Sequence, residues 1–152
     1  MTQEQKELLL KDLCARLSYH PKIKIDWEDI GGSGTFDETL WTIDAEEYLI
    51  NDRHIEDIKP YLRPMSSMTE EEAKEMCKTV FSYDKITSLQ ILSDRVRYGI
   101  LYNGSFNHIT FFFNKIYSLE QVDWLLAHHI DFRGLIPMGL AIAVTKENNP
   151  YN

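Results

Sequence analysis

The residues best equipped for chemistry stand together in His128-His129-Ile130-Asp131, with Arg133 two positions on. Imidazole beside carboxylate can hold a divalent ion or pass a proton, the requirement of a metal-dependent hydrolase or nuclease. On a helix, though, neighbouring side chains project about 100° apart, so His128 and His129 cannot both face one ion. His129 falls on the apolar stripe and His128 on its flank. A metal would need further ligands, such as His108 or Glu120, and no H-E-x-x-H spacing is present. The structural reading packs His129 in the core, while Asp131 caps the next turn and pairs with Arg133. We carry that reading forward, with no metal, no cofactor and no catalytic set expected. A hydrolase or nuclease built on His128, His129 and Asp131 is the alternative.

Other constellations are weaker. Asp57-Ile58-Lys59 resembles the tail of a nuclease D-x-K motif, which needs a second acid, Asp44 being nearest, and a core strand that Pro60 would interrupt. Gly31-Gly32-Ser33-Gly34 lacks the Lys-Ser/Thr of a phosphate loop and reads as a hairpin tip. Cys14 and Cys77 have no C-x-x-C partner and no neighbouring cation, so both are expected to pack. Phe111-Phe112-Phe113, Tyr98 and Tyr102 beside Arg95, Arg97 and Lys115 could stack bases. No RNA-recognition consensus accompanies them, and consecutive Phe residues read as a strand buried on both faces. One interaction strip remains: Tyr61, Leu62, Met65 and Met68 are apolar on a crossing expected at the surface. Either they dock a protein partner or they latch onto their own core.

Composition narrows the class. Of 152 residues, 43% are hydrophobic and 26% charged, an ordinary globular balance. The excess of 24 acids over 16 bases, a net charge of −8, opposes binding to nucleic acid or anionic membrane. No stretch reaches the ~18–20 apolar residues of a membrane helix, and the first residues lack the basic-then-apolar start of a signal peptide. Two cysteines fit free thiols in a reducing compartment. The expectation is an acidic, cytoplasmic domain of undetermined oligomeric state, binding neither membrane nor nucleic acid.

The positioning elements follow from pattern. Thr2 and Gln5 form a capping box before Leu9, Leu10, Leu13 and Leu17 at helical spacing. Ile23, Ile25 and Trp27 alternate with Lys22, Lys24 and Asp26, predicting a half-buried strand, with Trp41 and Ile43 on its return and a further strand over Tyr48 to Ile50. Pro60 and Pro64 exclude a central strand between them. Thr69 and Glu72 open a second helix carrying Ala73, Met76, Cys77, Val80 and Phe81. Asn103-Gly104 predicts a type I′ hairpin joining Arg95–Tyr102 to Ser105–Phe113, with Tyr98 opposite Ile109 and Val96 opposite Phe111. Ile86 to Leu92 is a further strand. A third helix starts at Ser118, and Leu119, Val122, Leu125, Leu126 and His129 share its face. Leu140 to Val144 is a last strand. About three helices and five to seven short strands predict one α+β domain over 1–145, built on an antiparallel sheet, with a sub-boundary at 60–67 and a frayed tail over 146–152.

Three blocks carry a resemblance: Lys11 to Leu17; Ile58 to Glu72; and Trp124 to Ile136, running on through Gly139-Leu140-Ala141. In these the chain resembles a family of small proteins carried by prophages and other mobile elements of gut anaerobes. Stretches 18–57 and 73–118 differ from the family. The resemblance implies an intracellular protein of phage origin and supplies no mechanism.

Overall fold

The computed structural model describes residues 1–29, 32–41, 55–83, 85–112 and 115–151. The expected strand over 48–50 lies outside them, as do Ile43, Asp44, Phe113 and the side chain of Trp27. Among the described residues the fold is α+β, with three α-helices and seven strands. The strands fall in two sheets rather than one, and every pairing but one is antiparallel. The chain divides into two compact units: Met1–Arg63 with Arg133–Asn152, and Pro64–Phe132.

In the first unit, α1 (Gln3–Arg16) opens on the expected capping box. Thr2 Oγ1 accepts from Gln5 N at 3.2 Å and Gln5 Oε1 from Thr2 N at 2.9 Å. Its Leu9 and Leu13 join Ile23, Ile25, Ile58, Leu62, Leu135 and Leu140 in one core, each side chain contributing about 1.5–3 kcal/mol on burial. The sheet order is β2-β1-β3-β7. β1 (Lys22–Asp29) pairs with β2 (Gly32–Thr39) from Lys22↔Thr39 to Asp29↔Gly32. Gly32 and Gly34 thus belong to the returning strand, not to a loop, and Trp41 lies beyond its end. β2 is an edge strand, where a missing side chain costs little core packing.

Pro60 lies inside β3 (Ile58–Leu62), which pairs with β1 on one side and with β7 (Ile142–Ala143) on the other. This overturns the exclusion of a central strand, for a reason of register. Leu62 O accepts from Val144 N on the β7 side. Backbone groups two residues apart point the same way, so the N–H that proline lacks would face β7. That strand is two residues long and pairs only with Tyr61 and Leu62, so no ladder bond is lost.

The polar end is tied down rather than frayed. The Tyr151 hydroxyl donates to Tyr61 O at 2.8 Å and accepts from Lys22 N at 3.2 Å. Thr145 N donates to Asn148 Oδ1 at 2.6 Å, and Asn148 Nδ2 to Ala143 O at 3.0 Å.

The second unit is a three-stranded sheet, β4-β5-β6, with two helices on one face. Thr69 and Glu72 form the capping box of α2 (Glu70–Phe81), whose first turn carries three acids where the helix dipole favours them. β4 (Ile86–Ile91) pairs with β5 (Arg95–Tyr102) through a bulge between Ile86 and Ser88. β5 and β6 (Ser105–Phe112) form the expected hairpin in the expected register, Tyr98↔Ile109 and Val96↔Phe111. Asn103 and Gly104 have φ of +49° and +75°, as a type I′ turn requires. Val96, Tyr98, Ile100 and Phe111 meet Ala73, Met76 and Cys77 of α2 and Trp124 and Leu125 of α3 (Leu119–Ala127). The Tyr98 hydroxyl is satisfied by Ala73 O at 2.8 Å.

Two side-chain expectations change here. Leu119, read as part of the buried stripe, stands 80% exposed at the start of α3, and Trp124 takes its place in the core. Phe112 is half-buried on the opposite face from Phe111, under the Arg95 guanidinium at 4.8 Å and the Lys115 ammonium at 5.3 Å from its ring centre.

Candidate functional site

The histidine pair closes a helix. Ile130 N donates to Leu125 O at 2.9 Å and His129 N to Leu126 O at 3.0 Å, the paired bonds of a Schellman motif. His129 takes the left-handed position of that motif, with φ of +54°, so it leaves the helix instead of extending its stripe. Ile130 and Leu125 share the core beneath. His128 stacks on Trp124 with ring centres 3.8 Å apart and 19° between planes. Its Nδ1 lies 2.8 Å from Trp124 O and must carry the proton there, because a carbonyl only accepts. Nε2 lies 3.8 Å from Glu75 Oε2. The His128 ring and the His129 backbone are thus both placed by the end of α3.

Asp131 is buried. Arg133 donates from Nη1 to Asp12 Oδ1 at 2.8 Å. The same carboxylate accepts from Arg16 Nε at 2.7 Å and Arg16 Nη2 at 3.2 Å, and Asp12 and Arg16 are both fully buried. One carboxylate between two guanidinium groups fastens α1 to residue 133 within the first unit. Asp12 and Arg16 stand at i,i+4 in the sequence, but nothing in their spacing announced burial. Among the described residues, no group of three His, Cys, Asp or Glu is placed to hold a metal ion.

The expected docking strip is a latch. Tyr61, Leu62, Met65 and Met68 are all buried, so none offers a surface. Leu62 packs in the core of the first unit and Met65 and Met68 in that of the second. The Tyr61 hydroxyl donates to Asp37 Oδ1 at 2.8 Å; burial, and then this carboxylate, push its pKa up to about 12. Tyr61 and Leu62 point to opposite faces of β3, and both faces are covered there. Of the remaining candidates, Cys77 is buried and its thiol pushed up to about 11 by burial, whereas Cys14 is exposed rather than packed. Asp57 ends a 3-10 turn, and Lys59 pairs with Lys24 on β1.

What does face solvent is the other side of the β4-β5-β6 sheet. Register places Gln90, Arg97 and Thr110 in one row and Ser88, Gly99 and His108 in the next, with Leu101 and Phe106 beyond. Phe106 is 76% exposed. Ser88, Gln90, Arg97, Gly99, His108 and Thr110 line a depression of about 600 Å³. From Arg95 to Tyr117 the sequence holds no acid, in a chain of net charge −8.

The β6 edge is open as well. A two-residue hairpin makes Tyr102↔Ser105 a hydrogen-bonded pair, so the backbone groups of Phe106, His108, Thr110 and Phe112 point away from β5. Phe112 confirms the parity: its N–H donates to the Tyr117 hydroxyl at 3.5 Å and its C=O accepts from Lys115 N at 3.1 Å. The outward N–H and C=O groups of Phe106, His108 and Thr110 have no hydrogen-bond partner among the described residues. Here the sequence signal was present but misassigned. The Asn-Gly turn fixes the parity of every residue on β6, and with it the outward place of Phe106, which the Phe triplet does not disclose.

No helix among the described residues is long and apolar enough to cross a membrane. Comparisons with protein families, with curated proteins and with solved structures found no match to this chain.

Proposed function

We propose that the chain is a non-enzymatic, intracellular accessory protein of phage or mobile-element origin that works by binding a protein partner. The partner docks as an added strand on the β6 edge, an extended segment with acidic side chains. One observation carries this reading: an eight-residue edge strand with three consecutive outward residues unpaired, beside the exposed ring of Phe106. Such an edge is a template for strand addition unless a bulge, proline or charge blunts it. β4, the other edge of this sheet, carries a bulge; β6 does not. Backbone pairing supplies affinity in this mode, and the alternate side chains supply selectivity. The acid-free run around Arg95, Arg97 and Lys115 selects an acidic segment by charge complementarity.

Capture from native lysate tests it with two variants. Phe106→Pro removes one edge donor and the exposed ring while leaving the ladder to β5 intact, because the Phe106 N–H points outward. The protein recovered by the parent chain is lost with Phe106→Pro and retained with Phe36→Asp on the β2 edge. Recovery indifferent to Phe106→Pro, at unchanged melting temperature, removes the reading.

A further inference from the structure

We infer that the depression over Gly99 is an anion seat, which receives one oxyanion group, a carboxylate or a phosphate. The inference rests on strand docking only for the source of that group, since a strand added to β6 carries its alternate side chains over the same face.

Four observations lead to it. First, the floor is a glycine, and a side chain there would have to displace two hydroxyls. A Cβ at Gly99 would lie 2.3 Å from Ser88 Oγ and 2.9 Å from Thr87 Oγ1, because the β4 bulge brings both hydroxyls over this point of β5. Second, the rim is built of donors. Arg97 offers five N–H groups in a fixed fork, and Ser88, Gln90, Thr110 and His108 each add one or more. Third, no acid among the described residues lines the depression. The nearest in sequence, Asp94, is bound by Arg95 Nε at 2.9 and 3.0 Å; it feels the Arg97 charge but makes no ion pair with it. Fourth, none of the five polar side chains makes a hydrogen bond or ion pair among the described residues. The exposed guanidinium of Arg97 thus keeps its donors for a ligand, beside Ser88, Gln90, His108 and Thr110, in a chain whose other charges are mostly negative.

Shape fixes the class of ligand. About 600 Å³ is within the range of small-molecule sites, but this hollow is an open dip on a sheet, not an enclosed cleft. It suits a compact charged group presented on a larger body. The carboxylate of an acidic segment and the phosphate of a phosphorylated one share the chemistry that Arg97 reads.

The test reads the seat directly. Inorganic phosphate and acetate are titrated separately into the full chain at constant ionic strength, following the backbone amides of Gly99 and His108 by NMR. Saturable shifts at both positions are expected, weakened at least tenfold by Arg97→Gln and unchanged by Phe36→Asp on β2. Preference for phosphate over acetate assigns the seat to a phosphorylated segment, and parity assigns it to Asp or Glu. Shifts that do not saturate, or that survive Arg97→Gln, overturn the seat. In a third arm a single-stranded oligonucleotide replaces the anions. Binding there that spreads over β5 and β6 and collapses with salt overturns a peptide source. Saturation by phosphate with lysate capture insensitive to Phe106→Pro keeps the seat and removes strand docking; the opposite pair of results does the reverse.

Discussion

The β1–β2 and β5–β6 hairpins are built alike and charged oppositely. Each pairs two eight-residue strands without a register shift, and each ends a sheet with its second strand. On β1 and β2, Asp26, Glu28, Asp29, Asp37 and Glu38 outnumber Lys22 and Lys24; β5 and β6 carry Arg95 and Arg97 and no acid of their own. Both hairpins carry a shallow depression beside a strand glycine. One is lined by Asp26, Glu28 and Asp57 around Gly34, the other by Arg97 and His108 around Gly99. Backbone geometry alone therefore does not choose a partner. An antiparallel ribbon with an open edge accepts any extended chain, and the sign of its side chains decides which one approaches.

The comparison breaks most severely at the buried charges behind the acidic hairpin. Asp12→Ala leaves two guanidinium groups without their carboxylate, in a core that also holds Ile23 and Ile25 of β1. Loss of one partner from a buried ion pair costs about 3–5 kcal/mol. The urea midpoint should fall accordingly, and hydrogen exchange at the β1 amides should quicken while the Tyr98 and Ile100 amides hold. Equal loss at both hairpins would show that the two cores unfold as one.

A smaller change sharpens the basic side. Gly99→Ala brings a methyl against Ser88 Oγ, an overpacking expected to cost about 1–3 kcal/mol. Ser88→Ala should return part of it, as a coupling of about 0.5–3 kcal/mol in a double-mutant cycle read by chemical denaturation. Purely additive losses would mean that backbone, and not the Ser88 hydroxyl, excludes a side chain at Gly99.

The two hairpins also differ in how far the sequence disclosed them. Asn103-Gly104 imposes two positive φ angles, and that local constraint fixed the β5–β6 register through to Val96↔Phe111. In β1–β2 the glycine-rich run carries no such constraint, and Gly32 and Gly34 enter the strand because an edge tolerates them. Pro60 misled for a similar reason: its missing donor matters only if a neighbour needs it, and β7 stops short. Periodicity could not foresee that His129 would leave its helix, since a Schellman closure depends on where Ile130 finds the core. The candidate site itself was half legible. The charge of Arg97 and the parity of its strand are plain in the sequence, but the depression exists only because a bulge in β4 meets a glycine in β5.

Alkaline pH separates the two cores by chemistry. Burial pushes the Cys77 thiol from 9.0 up to about 11, and pushes the Tyr61 and Tyr151 hydroxyls from 10.0 up to about 12. In each case the unfolded chain releases a proton that the folded chain keeps, so stability is intact below the unfolded value and falls as pH rises past it. The core behind β5–β6 should therefore weaken from about pH 9, and that behind β1–β2 only from about pH 10. Over the pH unit from 9 to 10 the slope is at most about 1.4 kcal/mol for one group. Melting scans of Cys77→Ala across pH 8–12 should show that early limb flattened and the later one kept.

The mildest test compares the helices that back the two hairpins. Thr2 and Thr69 cap α1 and α2 through the same reciprocal bonds, with hydroxyl-to-amide distances of 3.2 Å at both. Loss of such a cap costs typically about 1 kcal/mol. Thr2→Ala should therefore speed exchange in α1 and β1, and Thr69→Ala in α2 and β5, each leaving the other pair protected. At α2 the effect has a second source, because Glu72 Oε2 still accepts from the residue 69 amide at 2.8 Å and the three acids of the first turn still meet the helix dipole. Thr69→Ala should accordingly lose less when Glu72 is kept than when Glu72→Ala accompanies it. Combined in one chain, Thr2→Ala and Thr69→Ala should add within about 0.5 kcal/mol, as independent sites do. A clear excess would mean that the acidic and basic hairpins draw on a common core after all.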